Sequence, residues 1–539
     1  MTRSKIPQKA GKLLILVVLL LAVLQTVWFG VSAPVFAQSV HGESVQDESV
    51  DTTWVRRYNG SGNGSDEAYA LAVDGSRNVY VTGGSFGSGT LFDYVTIKYY
   101  PHGDTAWVRR YNGPENNGDI ASAIAVDDSG NVYVTGKSYD NESNYDYATM
   151  KYYPDGETAW VRRYDGPGNS DDEALAVAVD DFGNVYVTGE SWGSEFYYDY
   201  ATMKYYSNGD TVWVRRYNGP GNGGDIASAL AVDDSGNVYV TGKSYGGESN
   251  YDYATMKYYP NGETAWVRVY NGPENSDDEA NALAVDGFGN VYVTGGSFDS
   301  EVNWDYVTIK YYPNGDTAWV RRFNGPANGE DKAYAIALDP LNNVYVTGYS
   351  DSTGSYQDYA TIKYDSSGNV VWVKRYNGPP GNGSDLACAI AVDDSNNAYV
   401  TGMSGGGATG IDYATIKYDS LSSPSWVKRY DGPANGYDRA YDIAVDDSGN
   451  VYVTGLSAGI STDLDYATIK YVQFLCGDVN KDGVVNSADV VYLINYLFIG
   501  GPAPNPIQAG DVNRDGAVNS ADVVYLINYL FVGGPSPCG

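Results

Sequence analysis

Residues 478–489 read D-V-N-K-D-G-V-V-N-S-A-D, and residues 511–522 read D-V-N-R-D-G-A-V-N-S-A-D. In both runs oxygen-bearing side chains fall on alternate positions: Asp478, Asn480 and Asp482, then Asp511, Asn513 and Asp515. Such a loop suits a hard divalent cation, which takes about six to eight oxygen ligands. Gly483 permits the sharp turn of the first loop. Val484 and Ala517 differ from each other because only their backbone carbonyls would be used. Asn486 and Asn519 would bind directly or through a water, and Asp489 and Asp522 would close the sphere. One match of this kind is a moderate signal. Two, starting 33 residues apart and each followed by V-V-Y-L-I-N-Y-L-F, make chance acidic turns a poor explanation. The expected cofactor is calcium, two ions in all.

Each loop is followed by one apolar run with helix-forming character, Val490 to Phe498 and Val523 to Phe531, and preceded by none. The loops have the EF-hand spacing but end in Asp rather than Glu. In these features residues 476–538 resemble a type I dockerin, a duplicated loop-helix module whose partner is a cohesin domain. The resemblance implies cohesin contacts at Ser487-Ala488 and Ser520-Ala521, just after the ninth loop position. It also implies basic residues later on each helix; the matching positions here are Ile494-Asn495 and Ile527-Asn528, and none is basic. Two near-identical helices imply two binding orientations related by a pseudo-twofold. So small a module should need its metal to fold, since binding energy becomes folding energy. Cys476 and Cys538 bracket it, and in an exported chain they are expected to pair.

What carries this module is a repeat. Trp54, Trp107, Trp160, Trp213, Trp266, Trp319 and Trp372 lie 53 residues apart, and Trp426 follows after 54. Within one unit, Trp107 to Tyr111 alternates and Ala121 to Val126 is small and apolar. Asn131 to Thr135 is β-branched and aromatic, and Tyr147 to Tyr153 alternates again. Turn chemistry separates these runs, so each reads as a short strand. Four antiparallel strands per unit over eight units predict an all-β, eight-bladed β-propeller across residues 53–472, followed by the small α-helical calcium module at 476–539. A stacked solenoid is the rival, although its repeats are usually shorter. If the alanine-rich strand is innermost, the first strand (Trp54 to Tyr58) has no blade before it and the last unit (Asp442 to Tyr471) lacks a fourth strand. The two fragments should complete each other and remove an open edge. The A-V-D-x-x-G-N-V-Y-V-T-G core resembles the bacterial SBBP-type propeller repeat. That family is named for seven blades; the count here is eight.

The first 37 residues read as an export signal. Arg3, Lys5, Lys9 and Lys12 precede an apolar run from Leu13 to Leu24, and Val35-Phe-Ala37 offers small residues for cleavage. Residues 38–52 read as a linker. The expected location is secreted or attached to the cell surface, with no membrane segment after cleavage. A net charge of −33 disfavours nucleic acid and anionic membranes. The chain is expected to be a monomer.

Past the YVTG glycine, blades one to five carry Phe86, Tyr139, Trp192, Tyr245 and Phe298, whereas blades six to eight carry Asp351, Gly405 and Ala458. Amphipathic rings in an arc suit a polysaccharide or protein ligand, or they simply cover neighbouring blades. Asp66 and its counterparts through Asp438 precede every inner strand, and perfect repetition favours a structural job over a cation ring. No catalytic residue is assigned. The only histidines are His41 and His102, too few for triad chemistry. The expected function is therefore a non-catalytic, exported propeller that docks through calcium and a cohesin in polysaccharide binding or breakdown. A polysaccharide hydrolase or lyase and a structural surface-layer protein are the alternatives.

Overall fold

The computed structural model describes residues 48–538 except 141–143, 195, 248–249, 300–302, 353–355, 379–382, 406–409, 421–423 and 483. The expected export signal and most of the expected linker, like Gly483, lie outside the described residues. Two compact units result, one formed by Asp51–Val472 and the other containing Gln473–Gly539.

The larger unit is eight four-stranded antiparallel sheets. Blade one consists of Asp66–Val73, Val79–Phe86, Phe92–Tyr99 and Thr105–Tyr111, from the innermost strand outward. Six further blades repeat this order. The eighth joins Asp438–Val445, Val451–Ala458 and Leu464–Leu475 to the chain's first strand, Glu48–Tyr58. That strand starts before Trp54, so residues 48–52, expected as linker, are β-strand. Its neighbour Leu464–Leu475 is lengthened as well, to 12 residues against the usual eight, and offers the extra strand a partner.

Each strand's sequence follows from its layer. Inner strands use alanine where they abut their neighbours, as Ala68 and Ala121, both fully buried, and bulge by one residue there. Second and third strands are buried on both faces and are rich in Val, Tyr and Thr, with a buried threonine pair across them (Thr82 and Thr96, 3.0 Å). Gly83 is required because a Cβ there would strike the Glu67 carbonyl of the inner strand.

Adjacent blades share one joint. The outer Trp107 Nε1 donates to Pro154 O of the next blade at 3.1 Å, Arg109 Nε to Gly156 O at 2.5 Å, and the buried Tyr94 hydroxyl to Ala148 O at 3.1 Å. At the seam between the last blade and the first, Trp54 Nε1 meets Pro101 O at 3.2 Å, Arg56 Nε meets Gly103 O at 2.5 Å, and Tyr466 meets Val95 O at 3.2 Å. Trp54, Tyr452 and Tyr466 pack with Ala68, Val79, Val81 and Val95 as their counterparts do elsewhere. One bond is added: Asp442, where other inner strands carry alanine, accepts from Leu71 N at 2.8 Å.

Candidate functional site

In the C-terminal unit the helices are Ser487–Ile494, continued by a wider turn through Asn495–Ile499, and Ser520–Val532. Both begin three residues earlier than the apolar runs suggest. The reason is capping: Asn486 Oδ1 accepts from Ala488 N at 2.7 Å, and Asp489 returns the bond by accepting from Asn486 N at 2.9 Å. Asn519 and Asp522 do the same in the second repeat. The ninth and twelfth loop positions thus start the helix as well as facing the loop.

The loops converge as the spacing requires. Asp489 Oδ1 also accepts from Val479 N and Asn480 N at 2.7 and 3.0 Å, which folds the loop's start over its end. Asp478 Oδ1 accepts from Asp482 N at 3.1 Å, and Asp511 Oδ1 from Asp515 N at 3.1 Å. Asn480 and Asn513 turn their amides toward Asp482 and Asp515, while Asn486 and Asn519 donate to the Val484 and Ala517 carbonyls. Every convergent group is an oxygen or its amide partner, and neither loop brings a sulfur or an imidazole, so the donor set fits a hard cation. Asp489 and Asp522 are fully buried, and burial pushes both carboxyls up. Asn486 spends its oxygen on the cap, which favours a water between it and an ion.

Seven buried apolar side chains, among them Val479, Leu493, Val512 and Leu526, make up the module's core. The structure joins Cys476 to Cys538 across it, with Cα atoms 6.0 Å apart. The expected cohesin-contact residues Ser487, Ala488, Ser520 and Ala521 are exposed. Beside them lie Val491 and Phe498, and in the second helix Val524 and Phe531, all at least half exposed. Each loop-helix repeat thus exposes apolar residues one turn to either side of the non-basic pairs Ile494-Asn495 and Ile527-Asn528. Their signal was present as apolar residues in excess of what one helix face buries.

In the propeller, the aromatic arc is real but half-buried. Each ring packs edge-on against the residue opposite it across the hairpin: Phe86 on Phe92, Tyr139 on Tyr145, Trp192 on Tyr198, Tyr245 on Tyr251 and Phe298 on Trp304, with centroids 4.8–5.8 Å apart. The arc is therefore five ring pairs, and the second members were missed because they belong to the next strand. The repeated aspartates do a structural job. Asp66 accepts from Gly60 N at 2.6 Å and Phe86 N at 3.1 Å, tying the entry loop to the second strand; Asp119, Asp172, Asp225 and Asp438 do likewise, and Asp278, Asp331 and Asp385 hold the loop glycine alone.

One acidic pair does stand out from its siblings. Glu190 faces Glu173 across blade three, and burial, then Glu173, pushes its carboxyl up to about 7. Glu173 is paired to Lys137 at 2.7 Å. The equivalents of Glu190 are Gly84, Lys137, Lys243, Gly296, Tyr349, Met403 and Leu456, so repetition hid it.

Comparison with known proteins gives two family matches. The type I dockerin domain matches residues 476–531, and the beta-propeller repeat (SBBP) matches 106–142, 159–197, 212–248, 265–297, 318–354 and 426–460. An uncharacterized WD repeat-containing protein of Acanthamoeba polyphaga mimivirus is 23% identical over 484 residues, covering 72% of this chain; the chain spans about a third of that relative's length. Among solved structures, a protein of unknown function from Bacteroides caccae is 12% identical, with TM-score 0.32 over 54% of this chain and 94% of that one. A eukaryotic initiation factor is 8% identical, with TM-score 0.39 over 76% and 88%. The chain is a β-propeller of SBBP repeats carrying a C-terminal type I dockerin domain.

Proposed function

We propose that this is an exported, non-catalytic propeller that presents a binding face outside the cell and is moored there by its dockerin. A dockerin implies a cohesin partner. The observation that carries the proposal is the pair of all-oxygen loops whose twelfth-position aspartates also cap the helices bearing Ser487, Ala488, Ser520 and Ala521. Calcium would be held by Asp478, Asn480, Asp482, the Val484 carbonyl, Asn486 and Asp489, and by Asp511, Asn513, Asp515, the Ala517 carbonyl, Asn519 and Asp522. When bound, it neutralises carboxylates that burial alone disfavours. The residues' own part is to fix the helix starts, and so the contact residues, in place. The half-exposed ring pairs from Phe86 to Phe298 supply the surface for a polysaccharide or protein ligand. Calorimetric titration of the full chain with calcium is the test. Two ions per chain are expected, and one after the double change Asp511→Ala and Asp515→Ala; any other stoichiometry contradicts the assignment.

A second reading, a polysaccharide hydrolase of the same assembly, is favoured by Glu173 and Glu190, two facing carboxyls of which Glu190 is pushed up by burial and Glu173 is paired with Lys137. Reducing-sugar release that disappears in Glu190→Gln would establish it. No release from plant or algal polysaccharides leaves the binding role.

A further inference from the structure

Seven of the eight blades hold an arginine in the same receptor. In blade two, Arg163 of the outer strand donates from Nη1 to Ser138 Oγ and from Nη2 to the Ser138 carbonyl at 2.9 Å. Its Nε and Nη2 reach Asp146 at 3.1 and 2.8 Å, and Nη1 meets Tyr111 of the preceding blade at 3.4 Å. Arg216 repeats the arrangement on Ser191, Asp199 and Tyr164, and Arg57 repeats it on Ser457, Asp465 and Tyr430 at the ring's seam.

Blade four keeps the receptor and lacks the arginine. Val269 occupies the place, opposite Ala254 as Arg163 is opposite Ala148. Ser244 and Asp252 remain, 2% and 6% exposed, with Tyr217 in the preceding blade. Among the described residues the Ser244 hydroxyl has no hydrogen-bond partner, and no arginine reaches Asp252 as Arg163 reaches Asp146. Burial, and Asp277 beside it, push that carboxyl up to about 6. Val269 itself is 45% exposed, so the place from which the arginine stem starts in the other blades lies at the surface.

We propose that this seam binds a guanidinium group supplied from outside the chain, on a small molecule or on the arginine side chain of another protein. The receptor presents a carboxylate, a hydroxyl and a carbonyl in the fork pattern that a planar guanidinium fills and an ammonium does not. A metal ion is the poorer fit. Among the described residues, three-carboxylate groups with oxygens within 4.8 Å occur at Asp146, Asp165 and Asp172 and at Asp412, Asp431 and Asp438, where an arginine is already bound.

The test is a titration of the calcium-loaded full chain with guanidinium chloride well below denaturing concentration, against matched sodium chloride, followed by amide NMR or calorimetry. One saturable site is expected. Val269→Arg, which fills the receptor from within, should weaken binding at least about tenfold, as should Asp252→Asn, since charge-assisted pairing is lost. N-acetyl-arginine amide separates the sources. Binding by both probes assigns the site to arginine side chains, and binding by guanidinium alone assigns it to small cations. Absence of saturable binding by either probe, or equal binding by Val269→Arg, overturns the proposal.

Discussion

In the propeller, buried joint groups of one blade find partners in the next: Tyr94 in Ala148, Trp107 in Pro154, and at the ring's seam Tyr466 in Val95. In the C-terminal module each loop turns its amides onto its own carboxylates, beside a core of seven buried apolar side chains. Both regions arose by repetition. Repetition in a closed ring supplies every unit with neighbours, whereas a single duplication supplies only one, and the remaining cohesion has to come from a bound ion and a disulfide. The propeller should therefore hold together through side-chain joints alone, and the dockerin should not.

That contrast can be broken most severely at the seam. Trp54→Ala removes a buried ring and its bond to Pro101 O, and should cost about 3–5 kcal/mol of propeller stability. Trp160→Ala, at an internal joint, should cost the same within error by chemical denaturation, because the seam copies the other joints. A much smaller loss at Trp54 would mean the first strand is not part of the ring. Next in size, replacing Cys476 and Cys538 by serine should cost the dockerin about 4 kcal/mol, from the long loop they close, and leave the blades' unfolding midpoint unchanged.

Tyr466→Phe and Tyr147→Phe each delete one buried hydroxyl bond, and each should cost about 1 kcal/mol. Unequal losses would show that the seam is made differently. A further response, spread over several carboxyls, is to pH. Burial pushes Asp172, Asp225, Asp278 and Asp331 up to about 6, above the 3.8 of the unfolded chain. The folded blades then bind more protons than the unfolded chain between these values, so propeller stability should rise as pH falls through that window. Glu279, held low by Lys243 and Lys332 despite burial, pulls weakly the other way. Thermal midpoints at successive pH values, measured in chelator to silence the dockerin, read the sign directly.

The blade's strands, their inner-to-outer order and the closure by Trp54–Tyr58 were legible because the 53-residue period exposes which positions tolerate change. The two dockerin loops were legible because oxygen-bearing side chains at alternate positions have few other uses. What the repeat concealed is what differs between copies. Val269 is visible as a departure from seven arginines, but its meaning depends on Ser244 and Asp252, which lie on other strands. Glu190 is visible as the one acidic residue at a variable position, and only the register with Glu173 makes it a pair. The helix starts were misjudged because apolar periodicity marks the buried face, whereas capping by Asn486 and Asn519 sets the first turn.

The most direct test of the contrast is amide hydrogen exchange on the full chain with calcium and then with chelator. The account predicts that strands such as Val132–Tyr139 and Leu464–Tyr471 keep their protection while Ser487–Ile494 and Ser520–Val532 lose theirs. Helices that stay protected without calcium, or blades that open together with them, would contradict it.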